Sequence, residues 1–339
     1  MAMNEFKASP GLWALAWKRL RADRVAMVAL GVVALFLVTL VLSASGLVAS
    51  DWEDEVGVTY APPTFVGPDL AARAADVLES APPPPNAFDP LAGEIAELRD
   101  QLAKSGARAE TVRSETLPFG ADKWGHDIVK KTVKGAETSI VVGLVAATLA
   151  VGLGTLFGAF AGYFGGLVDD FFTWFYSIFT SIPSILMILT VAAVLQTKGV
   201  LTIVLILGLT GWTGPYRLIR AEYMKHKARE YVMAADAIGA SHWRKMFSHI
   251  LPNVSHIALV QMSILVVGFI KAEVILSFLG FGVPVGVVSW GSMLGEAQNE
   301  LILGKWWQLA AAAGAMAVLV TAFSLFTDAL RDALDPKLK

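Results

Sequence analysis

Residues able to do chemistry are sparse in this chain, and their spacing excludes most of what they could do. The 339 residues include no cysteine, which removes disulfides, thiolate metal sites and a cysteine nucleophile. The five histidines are His126, His226, His242, His249 and His256, and none forms an HExxH pair for a zinc site. No GxxxxGKS or GxxxxGKT run occurs, so the chain is not expected to bind or hydrolyse ATP through a phosphate-cradling loop. No paired carboxylates or nucleophile–base spacing fall on a shared helix face, as a membrane-embedded enzyme would require. Ion coupling needs ionisable side chains inside apolar helices. Lys271 and Glu273 are the candidates. Two positions apart, they do not face each other, and they lie near one end of their helix, where a long side chain can snorkel. An independent secondary transporter or channel therefore finds little support, and neither a metal nor a cofactor is expected.

The most informative segment runs Glu230-Tyr231-Val232-Met233-Ala234-Ala235-Asp236-Ala237-Ile238-Gly239-Ala240-Ser241 and continues to His249-Ile250-Leu251-Pro252-Asn253. Arg229–Ile238 reads as a short helix. Ala234, Ala235 and Ala237 keep its surface low enough for a partner to lie closely against it. Gly239 then releases the chain, as a C′ residue or as a close-contact point. A second helical segment follows, and Pro252 sets the start of the next long helix. A helix lying passively on a membrane surface fits the same spacing.

The elements that must carry this loop are membrane helices. Hydrophobic residues make up 55% of the chain and charged ones only 17%, with a mean hydropathy of +0.59. That argues against a soluble globular fold. The net charge of −2 offers no basic field for nucleic acid. Six stretches approach the roughly 20 apolar residues that a span requires: Val25–Val48, Ile140–Phe164, Phe171–Leu195, the short Val200–Trp212, Ile257–Phe281 and Trp307–Thr327. The expected fold is all-α and polytopic, with six transmembrane helices. The first stretch exceeds the apolar core of a signal peptide and reads as an uncleaved anchor. Gly143, Gly152, Gly154, Gly158 and Gly162 read first as a close-packing seam, with a pore-lining face as the alternative.

Basic residues set the orientation. Lys7, Lys18, Arg19, Arg21 and Arg24 crowd the tail at 1–24. Arg217, Arg220, Lys225, Lys227, Arg229, Arg244 and Lys245 crowd the loop at 214–256. Both belong in the cytoplasm, and the four spans between them agree, so both termini are expected there. Lys123, Lys130, Lys131 and Lys134 then fall on the outer side, against the rule. They end an outer segment at 49–134 that is acidic and Pro-rich, with 13 acidic and five basic residues between Asp51 and Gly120. Ala81–Pro85 is a polyproline II spacer. Leu91, Ile95, Leu98 and Leu102 then predict one amphipathic helix, with Asp89 as N-cap, Pro90 at N1 and Gly106 as the stop. Too few large apolar residues are present for an independent domain. Replacing Asp54–Glu110 by a flexible linker is expected to leave assembly intact.

The loop resembles the EAA loop of permease subunits in ATP-binding cassette importers, in which EAA, three residues, Gly, nine residues, Ile, one residue and Leu-Pro follow in order. Ala234, Ala235, Gly239, Leu251 and Pro252 match, while Met233 stands for Glu and His249 for Ile. The wider Arg229–Ala235 form is similar to the dipeptide/oligopeptide branch, specifically its "C" permease. So are Phe119–Asp127 (with His126 in place of the usual Arg), Gly162–Asp169, Leu276–Pro284 with Ser289–Gly291, and Leu330–Pro336. The pattern covers the anchor at 25–48 and everything from about Leu117 onward, leaving Asp51–Thr116 outside. The resemblance implies a type I importer permease with its five-helix core at 135–335, in a bacterial-type inner membrane. It implies a second homologous permease, two cytoplasmic ATP-binding subunits and an extracytoplasmic substrate-binding protein as partners, besides the lipid bilayer. Short peptides are the implied cargo, with nickel or another small solute as the alternative. Glu230, Ala234, Ala235, Asp236, Gly239 and Pro252 are the residues it assigns to ATPase coupling.

Overall fold

In lipid the backbone must satisfy its own hydrogen bonds, and the apolar stretches do so as helices. The computed structural model describes residues 12–68, 91–104 and 113–334. The helices are α1 (Leu12–Ala22), α2 (Arg24–Ala44), α3 (Ala92–Lys104), α4 (Ile128–Phe164), α5 (Gly166–Thr180) and α6 (Ser184–Leu195). They continue as α7 (Val200–Thr210), α8 (Thr213–Lys227), α9 (Glu230–Ala237), α10 (Leu251–Phe278), α11 (Trp290–Ile302) and α12 (Trp307–Leu334). A π-helical turn, Arg244–Ile250, leads into α10. β pairing among the described residues is limited to isolated bridges.

Among the described residues, four helices are long and apolar enough to cross a membrane: α2, α4, α10 with its leading turn, and α12. The expected third span is broken, since α5 and α6 meet at an 82° bend just before and after Pro183. Counted as one, the pair gives a fifth passage. The stretch expected as the fourth span forms only the 11-residue α7, too short alone for a core of about 30 Å. Helix α8 follows two residues later, which keeps six passages compatible with the chain trace.

Helix α4 is the hub. At 37 residues it is about 55 Å long. It begins twelve residues before the expected span, because Asp127 caps its first turn by accepting from the Val129 and Lys130 backbone N–H groups at 2.7 and 3.4 Å. Its small residues Ala146, Ala147 and Ala150 are buried in the main core with Leu207 of α7, Ile270 of α10, and Trp290 and Met293 of α11. Helix α2 packs along α12, and Asp23 caps it by accepting from the Val25 and Ala26 N–H groups. The outward faces of α2 and α5 leave Val28, Leu35, Val38, Phe171 and Trp174 exposed, as suits lipid contact.

At the end where α4 starts, residues on both sides of the acidic insertion fold together into a small cap. Val58 N–H donates to Ser114 O at 3.0 Å, Ser114 N–H to Val56 O at 2.8 Å and Ala121 N–H to Ala61 O at 2.8 Å. Ala61, Leu117 and Ala121 form its core with Val56 and Val58. This corrects the expected linker replacement. Starting at Asp54, it would remove half of the cap, so the replaceable stretch begins after about residue 67. The predicted amphipathic helix is present as α3, with Leu91, Ile95 and Leu98 exposed. Asp89, Pro90 and Gly106 lie outside the described residues.

Candidate functional site: a braced surface helix

The loop helix stands on a mount built from α4 and α8. Gly154, Gly158 and Gly162 of α4 form the seam. A Cβ on them would lie 2.6 Å from Trp212 O, 2.8 Å from Tyr216 O and 2.5 Å from Arg220 O respectively. At these three positions the seam packs backbone against backbone, and Gly143 packs on Ile270 of α10, whereas a Cβ on Gly152 would meet nothing within 4 Å, so Gly152 falls outside the expected seam. Gly165 and Gly166, at φ 69° and 53°, turn the chain into α5. There Asp169 accepts two bonds from Arg220 of α8, at 2.5 and 2.6 Å. The Gly162–Asp169 motif thus fixes α8 at both its packing surface and its charge. Below it, Tyr163, Ile219, Tyr223, Val232, Met246 and Ile250 share one buried cluster. Tyr223 donates to Met246 O at 3.2 Å, and burial raises the pKa of that phenol. Burial lowers the pKa of His226, whose Nδ1 lies 2.8 Å from the Tyr231 hydroxyl.

Helix α9 turns Val232 and Ala235 into this mount and the rest outward. It ends as its sequence requires. Gly239 takes φ 78°, its N–H donates to Asp236 O, and the Ala240 N–H donates to Ala235 O, both at 2.9 Å. This pair of bonds around a left-handed glycine is the Schellman C-cap. Of the six residues singled out from sequence, Glu230, Ala234 and Gly239 are exposed on or just beyond α9. Ala235 is buried inward, where its methyl seats the helix on the mount. Asp236 is exposed and ion-paired to Lys245, whose ammonium holds the carboxyl below its usual pKa. Pro252 occupies the first turn of α10 and is also exposed. Sequence reading missed Met233 and Ile238, the exposed large apolar residues of this helix end, the latter 86% exposed. The inward pair Val232 and Ala235, spaced i,i+3, was the available signal that these two lie off the mount.

At the cap end, the Phe119–Asp127 motif is built around Asp122. One carboxylate oxygen accepts from the Trp124 and His126 backbone N–H groups at 2.8 and 3.0 Å. The other accepts from Lys131 Nζ at 2.6 Å and lies 2.9 Å from His126 Nδ1. Burial opposes ionisation of Asp122, but the Lys131 ammonium and these N–H groups outweigh it and hold its pKa below the usual value. Lys131 also donates to Glu296 at 2.6 Å and to Gln308 Oε1 at 3.3 Å, tying the cap to α11 and α12. The four lysines that break the charge rule are accounted for. Lys130 pairs with Asp51 at 2.5 Å, Lys134 with Glu137 at 2.8 Å, and Lys123 stacks over Trp124. Glu273 does not snorkel. It is 0% exposed and accepts from Ser139 and Ser277, each at 2.7 Å, binding α10 to α4.

The chain is an apolar helical bundle with several candidate membrane passages and one small helix braced at its surface. Residues 154–339 match the binding-protein-dependent transport system inner membrane component family, and residues 11–63 match the N-terminal transmembrane domain of oligopeptide transport permease C. The chain belongs to this permease family of ATP-binding cassette importers. It is 37% identical over 221 residues to the oligopeptide transport system permease protein OppC of Bacillus subtilis, covering 65% of this chain and 72% of that one. It is 34% identical to the Bacillus subtilis dipeptide transport system permease protein DppC, covering 65% and 69%. To the DppC of Lactococcus lactis it is 29% identical over 335 residues, 95% and 90% of the two chains. The match through residue 63 draws the first segment of the cap into the family pattern, which sequence reading had left outside it.

Proposed function

We propose that this chain is the permease subunit of an ATP-driven importer of short peptides, working beside a second homologous permease. In this reading α9 seats in a groove on one of two cytoplasmic ATPases, and an extracytoplasmic binding protein delivers cargo. Both chain termini and the α9 loop then face the cytoplasm, and the cap faces outward. The carrying observation is the geometry of α9: Met233, Ala234 and Ile238 project from a helix whose mount is locked by the glycine seam and the Asp169–Arg220 pair. A helix so braced transmits displacement as a lever rather than absorbing it. ATP binding would close the ATPase pair, drive the seated helices and switch the bundle between inward- and outward-facing packings. The likeness to oligopeptide and dipeptide transport permeases of Bacillus and Lactococcus supports the peptide cargo.

The test is Gly239→Asp. A Cβ at Gly239 meets nothing within 4 Å, so the fold of the chain itself tolerates the change apart from the left-handed backbone. Expression and membrane insertion should stay near normal while ATP hydrolysis uncouples from uptake or the ATPase dissociates. Normal uptake with normal ATPase stoichiometry would sink the coupling role. Reporter fusions check the orientation, with an outside signal expected at Ala92 and an inside one at Lys225.

A further inference from the structure

Both carboxylate oxygens of Glu300 are buried and have no hydrogen-bond partner among the described residues, although the residue lines a cavity of about 900 Å³ at the cap end. Glu300 stands in the last turn of α11, is 2% exposed, and is held by the Leu303 and Lys305 N–H groups donating to its carbonyl. The Lys123 backbone N–H approaches the carboxylate and favours its charged form without reaching hydrogen-bond geometry. Lys131 is already engaged by Asp122 and Glu296. A buried carboxylate lacking donors is costly, and a ligand can supply them.

The rest of the lining says what kind of ligand. Trp52 and Tyr60 bring aromatic rings to the same cavity, and such rings attract a cation through their faces; the Trp124 ring there already carries the Lys123 ammonium. Lys123 and Lys198 also line it, offering charge of the opposite sign to a carboxylate. No group of three or more His, Asp or Glu side chains able to hold a metal exists among the described residues. An ammonium carries three N–H donors and suits the orphaned carboxylate. The volume falls in the ~300–1,000 Å³ range of small-molecule sites.

We propose that this cavity is a subsite for the amino-terminal ammonium of the cargo, with Glu300 as its counter-charge. The choice of cargo rests on the reading of the chain as a peptide permease; the ammonium chemistry rests on the lining alone. Burial pushes Glu300 up to about 7, with the Asp122 and Glu296 carboxylates adding to the rise and the Lys131 ammonium opposing it. Glu53, Tyr60 and His126 of the cap face the same space, together with Lys123, Lys131, Lys198 and Glu296. Protonation of Glu300 alone would weaken ammonium binding about tenfold between pH 8 and pH 6; because about half of the peptide α-amino groups are neutral at pH 8, the net loss should be about four- to fivefold.

The experiment titrates trialanine, by calorimetry, into the assembled complex held in nanodiscs without its binding protein. Wild type should bind, with the stated pH dependence. Glu300→Gln should bind about tenfold more weakly or worse and lose that dependence, and N-acetyl-trialanine should behave the same way on wild type. Glu300→Asp, which keeps the charge, should retain the pH dependence and separates charge from folding. Unchanged affinity in Glu300→Gln, equal binding of the acetylated peptide, or no binding to wild type at millimolar trialanine would each overturn the subsite. Uptake by the complex with its binding protein reports separately on the cargo. Peptide uptake without Glu300-dependent binding discards only the subsite, whereas no peptide uptake discards the cargo reading.

Discussion

At the cap, Asp122, Lys131 and Glu296 are locked in one buried or half-buried network; on α9, Met233 and Ile238 stand bare. The first arrangement is complete within the chain. Each charge has a partner, and removing one leaves the others stranded in a poorly solvated place. The second is incomplete, since exposed apolar side chains on a rigid mount gain nothing until a second surface covers them. The network at one end is thus closed and the helix at the other open, although Glu300, beside the network, keeps a buried carboxylate without a donor among the described residues. Mutations at the first should be read as stability, and at the second as association.

Lys131→Met should produce the largest effect, because it strands the Asp122 carboxylate and removes the link to Glu296. A loss of about 3–5 kcal/mol is expected, measured as a large drop in the Tm of the purified protein. Equal stability would mean the cap is not closed in the sense argued. Two glycines sharpen the contrast. Gly125 and Gly239 both have left-handed backbones, at φ 86° and 78°, but a Cβ on Gly125 would lie 2.2 Å from Gly57 O while one on Gly239 meets open space. Gly125→Ala should cost about 2–4 kcal/mol, from backbone strain plus the clash. Gly239→Ala should cost only about 1–2 kcal/mol, confined to the end of α9 and visible as faster amide exchange there.

The buried Glu300 adds a pH arm. Its folded pKa, about 7, lies above the unfolded value, so the folded state binds the extra proton between the two. Stability should accordingly fall as pH rises from about 5 to 8, by on the order of 2–3 kcal/mol, and Glu300→Gln should remove that part of the slope. Asp122 is shifted the other way, so its contribution persists above the ordinary carboxylate range and is lost only in stronger acid. The smallest stability change belongs to Ile238→Ser, under about 0.5 kcal/mol for a surface position. Its ATPase copurification should nonetheless drop sharply, and unchanged copurification would remove Ile238 from the docking face.

What could be read from sequence followed periodicity and local geometry. The apolar runs marked all four long helices, and the Arg229–Gly239 spacing marked α9 with its glycine cap to within a residue. Local rules failed where a partner distant in sequence decided the outcome. The start of α4 was missed because Lys130, Lys131 and Lys134 look like loop residues until Asp51, Asp122 and Glu137 neutralise them. Helix α11 was missed because Trp290, Gly291 and Met293 pack against α4 and α10 rather than form a long apolar run. The inward setting of Ala235 was not legible because its small size suits either face of a helix. Only Met246 and Ile250, brought up by the π-helical turn to bury Val232, reveal which side is inward.

The cap brings Pro63 beside Leu117, so everything between them leaves and returns through a single closed neck. The entropic cost of closing such a loop rises only with the logarithm of its length, about 0.6 kcal/mol for each doubling. Length there is nearly free once the neck is formed. A whole foreign domain spliced between residues 68 and 112 should ride on the neck without disturbing the bundle. The acidic excursion is therefore a natural port for a tag or reporter on this permease.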